Sequence, residues 1–367
     1  MKTLNEYEAE LNKCSKCGLC ESVCPLFKII PNDCVASKGK FIMLHGVTKG
    51  DLKLSKTINK YLDLCLKCGR CRKYCPSDID VCAIINTAKY EYMEKTWVSK
   101  VVKFFQSEKF FSVLLKIGAI VSSLSRPVIK TKNETRTKVL YFKGCVNKVC
   151  PKTDKYLKKI LKKSDISVIQ PDFDCCGLPF LSEGNMERFL AAAEKNLEFM
   201  KQEYDYLVTD CASCQDTILD YPKYVEPACE VVSPEKIINW GDLIAEKNIK
   251  FKFKKPIKVT FHRPCHLRDD SFFKKIIENC ENVEYVEMDD YDDCCGFAGS
   301  FAIKHHNLSV KIADRKARNI IKTKANYVIT TCPACKIGLK HGLFLYSKKP
   351  RVVSLLEFLS MAKEIQY

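Results

Sequence analysis

Short apolar runs and longer periodic segments alternate through the later part of the chain. Runs rich in Val, Ile and aromatic residues, such as "KVLYF" (138–142), "YLVT" (206–209), "KVTFH" (258–262) and "YVIT" (327–330), have the length and composition of buried strands. Between them lie "TDKYLKKILKK", "NMERFLAAAEKNLEFMK", "SFFKKIIENC" and "LSVKIADRKARNIIKT", whose apolar residues recur at helical spacing. Strand–helix alternation of this kind predicts a parallel sheet with helices on its faces. The first 93 residues lack strand-like runs. "KGKFIMLHGV" and "LSKTINKYLDL" read there as helices, so this part is predicted to be all-α.

The α/β part repeats itself. "KVLYFKGC" ends at Cys145 and "KVTFHRPC" at Cys265, an offset of 120. Cys175–Cys176 meets Cys294–Cys295 at an offset of 119, and "YLVTDCASC" meets "YVITTCPAC" at 121. Three matches at nearly one offset indicate a duplication. The predicted organisation is 1–93 helical, 94–137 a linker, 138–250 the first α/β domain and 251–367 the second.

Charge singles out the linker. The chain carries +17 formally, and residues 95–163 alone hold 18 Lys+Arg against 3 Asp+Glu. "WVSKVVKFFQSEKFFSVLLK" interleaves Val101, Val102, Phe104, Phe105, Phe110, Phe111, Leu114 and Leu115 with lysines at 100, 103, 109 and 116. A basic amphipathic helix packs over its own domains, docks a partner, or lies on an anionic membrane through 95–125. Nucleic acid is not expected, because no stacking aromatics on a strand platform accompany the charge. No run reaches the roughly 18 apolar residues of a membrane span. The polar start "MKTLNEYEAELNKC" lacks the h-region of a secretory signal. A cytoplasmic chain is expected, with peripheral attachment at the inner face of the cell membrane left open.

The chain holds 23 cysteines, and in a cytosolic protein such a count points to metal rather than disulfides. "CSKCGLCESVCP" and "CLKCGRCRKYCP" both follow C-x2-C-x2-C-x3-C-P, the bacterial ferredoxin run for 4Fe–4S clusters. The fourth cysteine of such a run usually ligates the other cluster. Cys14, Cys17, Cys20 and Cys75 are therefore assigned to one cubane, and Cys65, Cys68, Cys71 and Cys24 to the other. Zinc sites pair two CxxC units and do not use this spacing.

Each α/β repeat supplies five more cysteines, all at predicted carboxyl ends of strands, where open α/β sheets build their sites. The first set is Cys145, Cys175, Cys176, Cys211 and Cys214; the second is Cys265, Cys294, Cys295, Cys332 and Cys335. Four ligands satisfy a structural zinc or a cubane, so five suggest a larger or irregular iron–sulfur cluster. Zinc with a spare cysteine at one of the sites stays open. Cys34, Cys82, Cys150, Cys229 and Cys280 are left over, and buried packing is the default for each.

The pattern C-x(n)-CCG-x(m)-C-x-x-C, found twice after two ferredoxin runs some forty residues apart, resembles the CCG domains of heterodisulfide reductase, in particular of its HdrD polypeptide. It is equally similar to the iron–sulfur subunits of glycolate oxidase and anaerobic glycerol-3-phosphate dehydrogenase. The resemblance implies a helical dicluster ferredoxin module followed by two CCG domains. It further implies that the two five-cysteine sets are cluster sites, non-cubane 4Fe–4S in heterodisulfide reductases. "CCGFAGSFAIK", with Phe297, Ser300 and Phe301, departs from the glycine-rich stretch of heterodisulfide reductases and is closer to the dehydrogenase-associated subunits. No GxGxxG or P-loop is present, so neither flavin nor NAD is expected in this chain. The leading expectation is an iron–sulfur oxidoreductase subunit relaying electrons for a flavoprotein dehydrogenase or a membrane redox subunit. The alternative is a heterodisulfide-reductase-like catalytic subunit; a third is a zinc-stabilised scaffold. His262 and His266, flanking Cys265, are candidate proton donors.

Overall fold

In the first 94 residues, helices Ser37–Thr48, Lys56–Asp63 and Val81–Glu94 surround two short cysteine loops. The computed structural model describes residues 2–94, 137–148, 152–226 and 228–367. Most of the predicted basic linker, and Cys150, lie outside the described residues. Ser55 starts the Lys56–Asp63 helix by accepting a bond from Ile58 N–H, and Ile58 and Leu62 face inward from it. They join Leu4, Leu11, Phe41, Leu44, Ile84, Ile85 and Ala88 in a small core. The cysteine loops share one backbone course: Lys16 and Lys67 have φ of 58° and 53°, and a four-residue helix follows each loop, Leu19–Ser22 and Arg70–Lys73.

Two sheets follow. In the first, β1 (Thr137–Tyr141), β2 (Ile166–Ile169), β3 (Tyr206–Thr209) and β4 (Ile237–Asn239) lie in the order β2-β1-β3-β4, all parallel. In the second, β5 (Lys250–Phe261), β6 (Cys280–Tyr285), β7 (Tyr327–Thr330) and β8 (Arg351–Ser354) take the same order, β6-β5-β7-β8, again parallel. The duplication read from the offsets is thus a duplication of topology. The parallel rule has one exception. β9 (Glu364–Gln366) runs antiparallel to the start of β5. β7 covers only Val259–Phe261, so Lys250–Lys252 offers an open edge to the returning chain. One continuous apolar core underlies both sheets, with Tyr141 packed edge-on to Trp240 and Phe253 stacked on Phe358.

An ion cluster built on the buried Lys89 joins all three domains. Lys89 of the helical module reaches Asp63 at 2.7 Å, the Ser182 carbonyl at 2.9 Å and Glu183 of the first α/β domain at 3.6 Å. Glu183 also takes Lys304 and the Ser300 hydroxyl from the second domain. Burial raises the Glu183 pKa, but Lys89 and Lys304 prevail and hold it below its ordinary value. Its contribution is therefore complete above the unfolded carboxyl pKa and lost as pH falls through the lower folded one. Glu183→Ala should cost about 1.5–3 kcal/mol at neutral pH, the range for hydrogen bonds to charged groups. Denaturant unfolding at pH 7 and pH 4 checks this: the gap between variant and native protein should narrow at pH 4.

Candidate metal centres

The helical module brings its cysteines together in crossed fashion. Cys14, Cys17 and Cys20 line one cavity with Cys75, from the other run. Cys65 and Cys68 line a second with Cys24. Cys71 faces both cavities. Lys38 braces the first loop through Glu21 at 2.7 Å and Asp33 at 3.2 Å. Cys82, seven residues after Cys75, also lines the second cavity, which its spacing did not announce.

In the α/β domains every cysteine of the two sets lies in the segment that follows a strand. Cys145 opens a short helix after β1, Cys175 and Cys176 follow β2, and Cys211 caps the Ala212–Leu219 helix that carries Cys214 after β3. Cys265, Cys294–Cys295, and Cys332 with Cys335 repeat this after β5, β6 and β7. The thiols touch in one order, 145–175–176–214–211 in the first set and 265–294–295–335–332 in the second. Cys145 and Cys175 sulfurs are 3.7 Å apart.

The two sets also meet each other. Cys211 contacts Cys332, Ser213 Oγ lies 3.7 Å from Cys332 Sγ, and Ala212 N–H donates to the Thr331 carbonyl. Hydrogen bonds from Cys294 and Cys335 hold the Cys295 thiol down to about 5, and those from Cys175 and Cys214 lower Cys176 likewise.

These sets suit a metal group. All ten thiols are free. A Cβ on Gly144 would stand 2.9 Å from Cys214 Sγ, and one on Gly338 3.2 Å from Cys295 Sγ, so small residues keep the sulfurs unobstructed. Gly177 and Gly296 turn the chain with φ of 88° and 84°, where two adjacent side chains must both point inward. At Gly177 a Cβ would meet the Phe189 ring at 2.6 Å; at Gly296 it would meet the Ser309 carbonyl at 2.7 Å. Gly177→Ala should cost about 1–3 kcal/mol in backbone strain. Gly296→Ala should cost more, since a helix carbonyl yields less than a ring edge. Thermal unfolding and metal retention, set by set, check the ranking.

Among the described residues a charged clasp presses the helical module on the second set and not on the first. Cys68 approaches Cys265 and Cys294. Around them Leu26, Val35 and Leu66 pack with Phe301 and Ile312. Arg70 pairs with Asp292 at 2.6 Å and Asp293 at 3.1 Å, the two residues before Cys294. Lys28 reaches Asp293 at 3.3 Å and Lys73 reaches Asp292 at 3.4 Å. In the first domain the matching Asp174 is paired at home, with Arg188 at 3.2 Å. Beside the clasp opens a cavity of about 580 Å³ whose wall includes Cys68, Cys265, Arg70, Arg263, Asp216 and Tyr224.

The two histidines beside Cys265 differ. His266 bonds Asp216 of the first domain at 2.8 Å. Burial opposes its charge, yet Cys265 and Asp216 raise its pKa to about 10. His262 is fully buried, and among the described residues neither ring nitrogen has a hydrogen-bond partner. Burial drives it to the neutral form. Of the leftover cysteines, Cys280 is buried as expected, whereas Cys229 is exposed, on the short Ala228–Val231 helix.

Paired ferredoxin loops and two thiol-lined α/β repeats define an iron–sulfur protein. A model of the 4Fe–4S dicluster domain matches residues 10–79, and one of the cysteine-rich CCG domain matches 139–218 and 259–340. The chain belongs to the family that joins a dicluster ferredoxin to two CCG domains.

An iron–sulfur protein of Methanococcus maripaludis is 30% identical over 78% of this chain, which spans 58% of that protein's length. One of the subunits of fumarate reductase (CoM/CoB) from Methanothermobacter marburgensis is 25% identical over 96% of this chain and 72% of its own. One of the subunits of the dihydromethanophenazine:CoB–CoM heterodisulfide reductase from Methanosarcina mazei is 25% identical, covering 91% and 89%. The probable glycolate oxidase iron–sulfur subunit of Bacillus subtilis is 22% identical, covering 96% and 94%. A hypothetical protein from Helicobacter pylori shares the fold, with a TM-score of 0.56 and 13% identity over 90% of this chain and 68% of that one.

Proposed function

We propose that this chain is the electron-relaying iron–sulfur subunit of a flavin-dependent dehydrogenase-type complex, holding four redox centres in series. Cys14, Cys17, Cys20 and Cys75 would hold the first, and Cys24, Cys65, Cys68 and Cys71 the second. The second CCG set would hold the third and the first CCG set the fourth. Iron–sulfur clusters, when bound, take up and release single electrons. The observation that carries the reading is continuity. Cys71 faces both ferredoxin cavities, Cys68 lines one cavity with Cys265 of the second CCG set, and Cys332 reaches Cys211 of the first. The protein's part is to fix these spacings and exclude water: the CCG sulfurs other than the half-buried Cys145 and Cys265 are buried.

No flavin or NAD is proposed in this chain, so electrons enter from or leave to another protein, either a flavoprotein or a membrane redox subunit. The fumarate reductase, heterodisulfide reductase and glycolate oxidase relatives are themselves subunits. Among the described residues no helix is long and apolar enough to cross a membrane. A cytoplasmic location, at most peripheral to the inner face of the membrane through 95–125, is part of this proposal.

A second reading, disulfide reduction at the second CCG set, is favoured by the cavity that reaches Cys265. Phe301, buried in one apolar cluster with Cys294 and with Leu26, Val35 and Leu66 of the helical module, favours relay.

Iron, zinc and acid-labile sulfide, measured on protein purified without oxygen, test the proposal. About 16 irons and no zinc are expected, four for each of four 4Fe–4S groups. About 8 irons with one or two zincs would make the CCG sets structural and end both redox readings beyond the ferredoxin module. With the irons present, spectral change on titrating a small disulfide would favour the second reading.

A further inference from the structure

The two five-cysteine sets differ at one buried position. Phe142 and His262 stand three residues before Cys145 and Cys265, the first cysteine of each set. The repeat holds them alike: Phe142 N–H donates to the Val208 carbonyl at 2.8 Å, and His262 N–H to the Ile329 carbonyl at 2.9 Å. Both side chains are fully buried. Phe142 packs its ring on Phe173, with centroids 4.7 Å apart. The His262 ring instead places a nitrogen within 4.8 Å of the Cys295 and Cys335 sulfurs, which lie equally close to each other. Among the described residues neither of its nitrogens has a hydrogen-bond partner.

A buried imidazole without a partner loses its hydration and gains nothing in exchange. Phenylalanine at the matching place shows that the fold does not require a polar ring there. Imidazole and thiolate together suit zinc and iron. The nearby Lys316 does not compete for the ring, because its ammonium donates to the Asp290 carbonyl.

We propose that His262 is a metal ligand of the second CCG site, giving a ring nitrogen beside the Cys295 and Cys335 thiolates, while the first site is bound by sulfur alone. This rests on the reading of the CCG sets as metal centres.

The test is a crystal structure of the full chain, purified without oxygen and metal-loaded, with data on both sides of the iron and zinc edges. A metal within about 2.0–2.1 Å of a His262 nitrogen is expected. A ring nitrogen beyond about 2.7 Å of every metal, at hydrogen-bond range from a sulfur or further, overturns the proposal and leaves the metal reading standing. A second site with no metal ends that reading, and the proposal with it.

The spectrum of the second site gives the independent arm. His262→Phe, which copies the first site, leaves five cysteines there and should keep the metal while shifting the second site's spectrum towards that of the first. An unchanged second-site spectrum in His262→Phe overturns the proposal. Should His262→Phe fail to fold, the structure of the unsubstituted protein decides alone.

Discussion

Replacing Cys294 and Cys295 together by alanine should leave the ferredoxin irons reducible and strand the first CCG set in its oxidised state. Cys68 lines one cavity with Cys265, and from there sulfur contacts run along the second set to Cys332 and across to Cys211. Taking out the middle pair removes the two thiols that join Cys265 to Cys335. The first set keeps all five of its own cysteines and should keep its metal. The reciprocal change, Cys175→Ala with Cys176→Ala, should empty the first set and leave reduction of the second at its normal rate. Rapid mixing with a protein reductant too large to enter the fold, read by spectra that separate the centres, decides the matter. The expected loss in the first variant is complete on the native timescale. Equal reduction of the first set in both proteins would mean that electrons reach it by another route, and the serial order of the four centres would fall.

That order could not be read from the sequence, although its parts could. The two C-x2-C-x2-C-x3-C-P runs and the offsets near 120 specify local geometry, because each cysteine follows a strand end or a tight loop of fixed length. That the strands run parallel follows from the same alternation, but their order does not, and β9 is set by an edge that β7 leaves bare rather than by any local pattern. Which CCG set faces the helical module depends on partners far apart in the chain. "DFDCCG" and "DDCCG" look equivalent, yet Asp174 finds Arg188 nearby while Asp292 and Asp293 await Arg70, Lys28 and Lys73. His262 was visible as a residue beside Cys265, but its missing partners belong to the tertiary fold. Cys82 resembled packing for the same reason, since nothing local reveals that its helix begins against the second ferredoxin cavity.

The clasp leads to the second large expected effect. Arg70→Ala should loosen the helical module from the second CCG domain without removing metal from either. Its guanidinium is 9% exposed, and the Asp293 carboxylate 8%. Removing one partner of a buried pair leaves an uncompensated charge, which costs about 3–5 kcal/mol. Asp292 is more accessible and has Lys73 in reserve, so the lower end of that range is expected. Arg70→Lys keeps the charge but cannot span two carboxylates with a planar fork, so it should recover only part of the loss.

Arg70 supplies no sulfur, and the iron count should stay at its native value. What should fall is the rate at which the CCG sets follow the ferredoxin module, because the approach of Cys68 to Cys265 and Cys294 depends on the docking. A cycle with Arg70→Ala, Asp292→Ala and the double variant separates this from general damage. Residues in direct contact should show a coupling of about 0.5–3 kcal/mol, and the double variant should be less harmed than the two single losses added together. Additive losses would mean that Arg70 acts on its own loop rather than through Asp292. Docking would then rest on the apolar contacts of Leu26, Val35 and Leu66 with Phe301, and the charged pair before Cys294 would no longer explain why the second set, and not the first, meets the ferredoxin module.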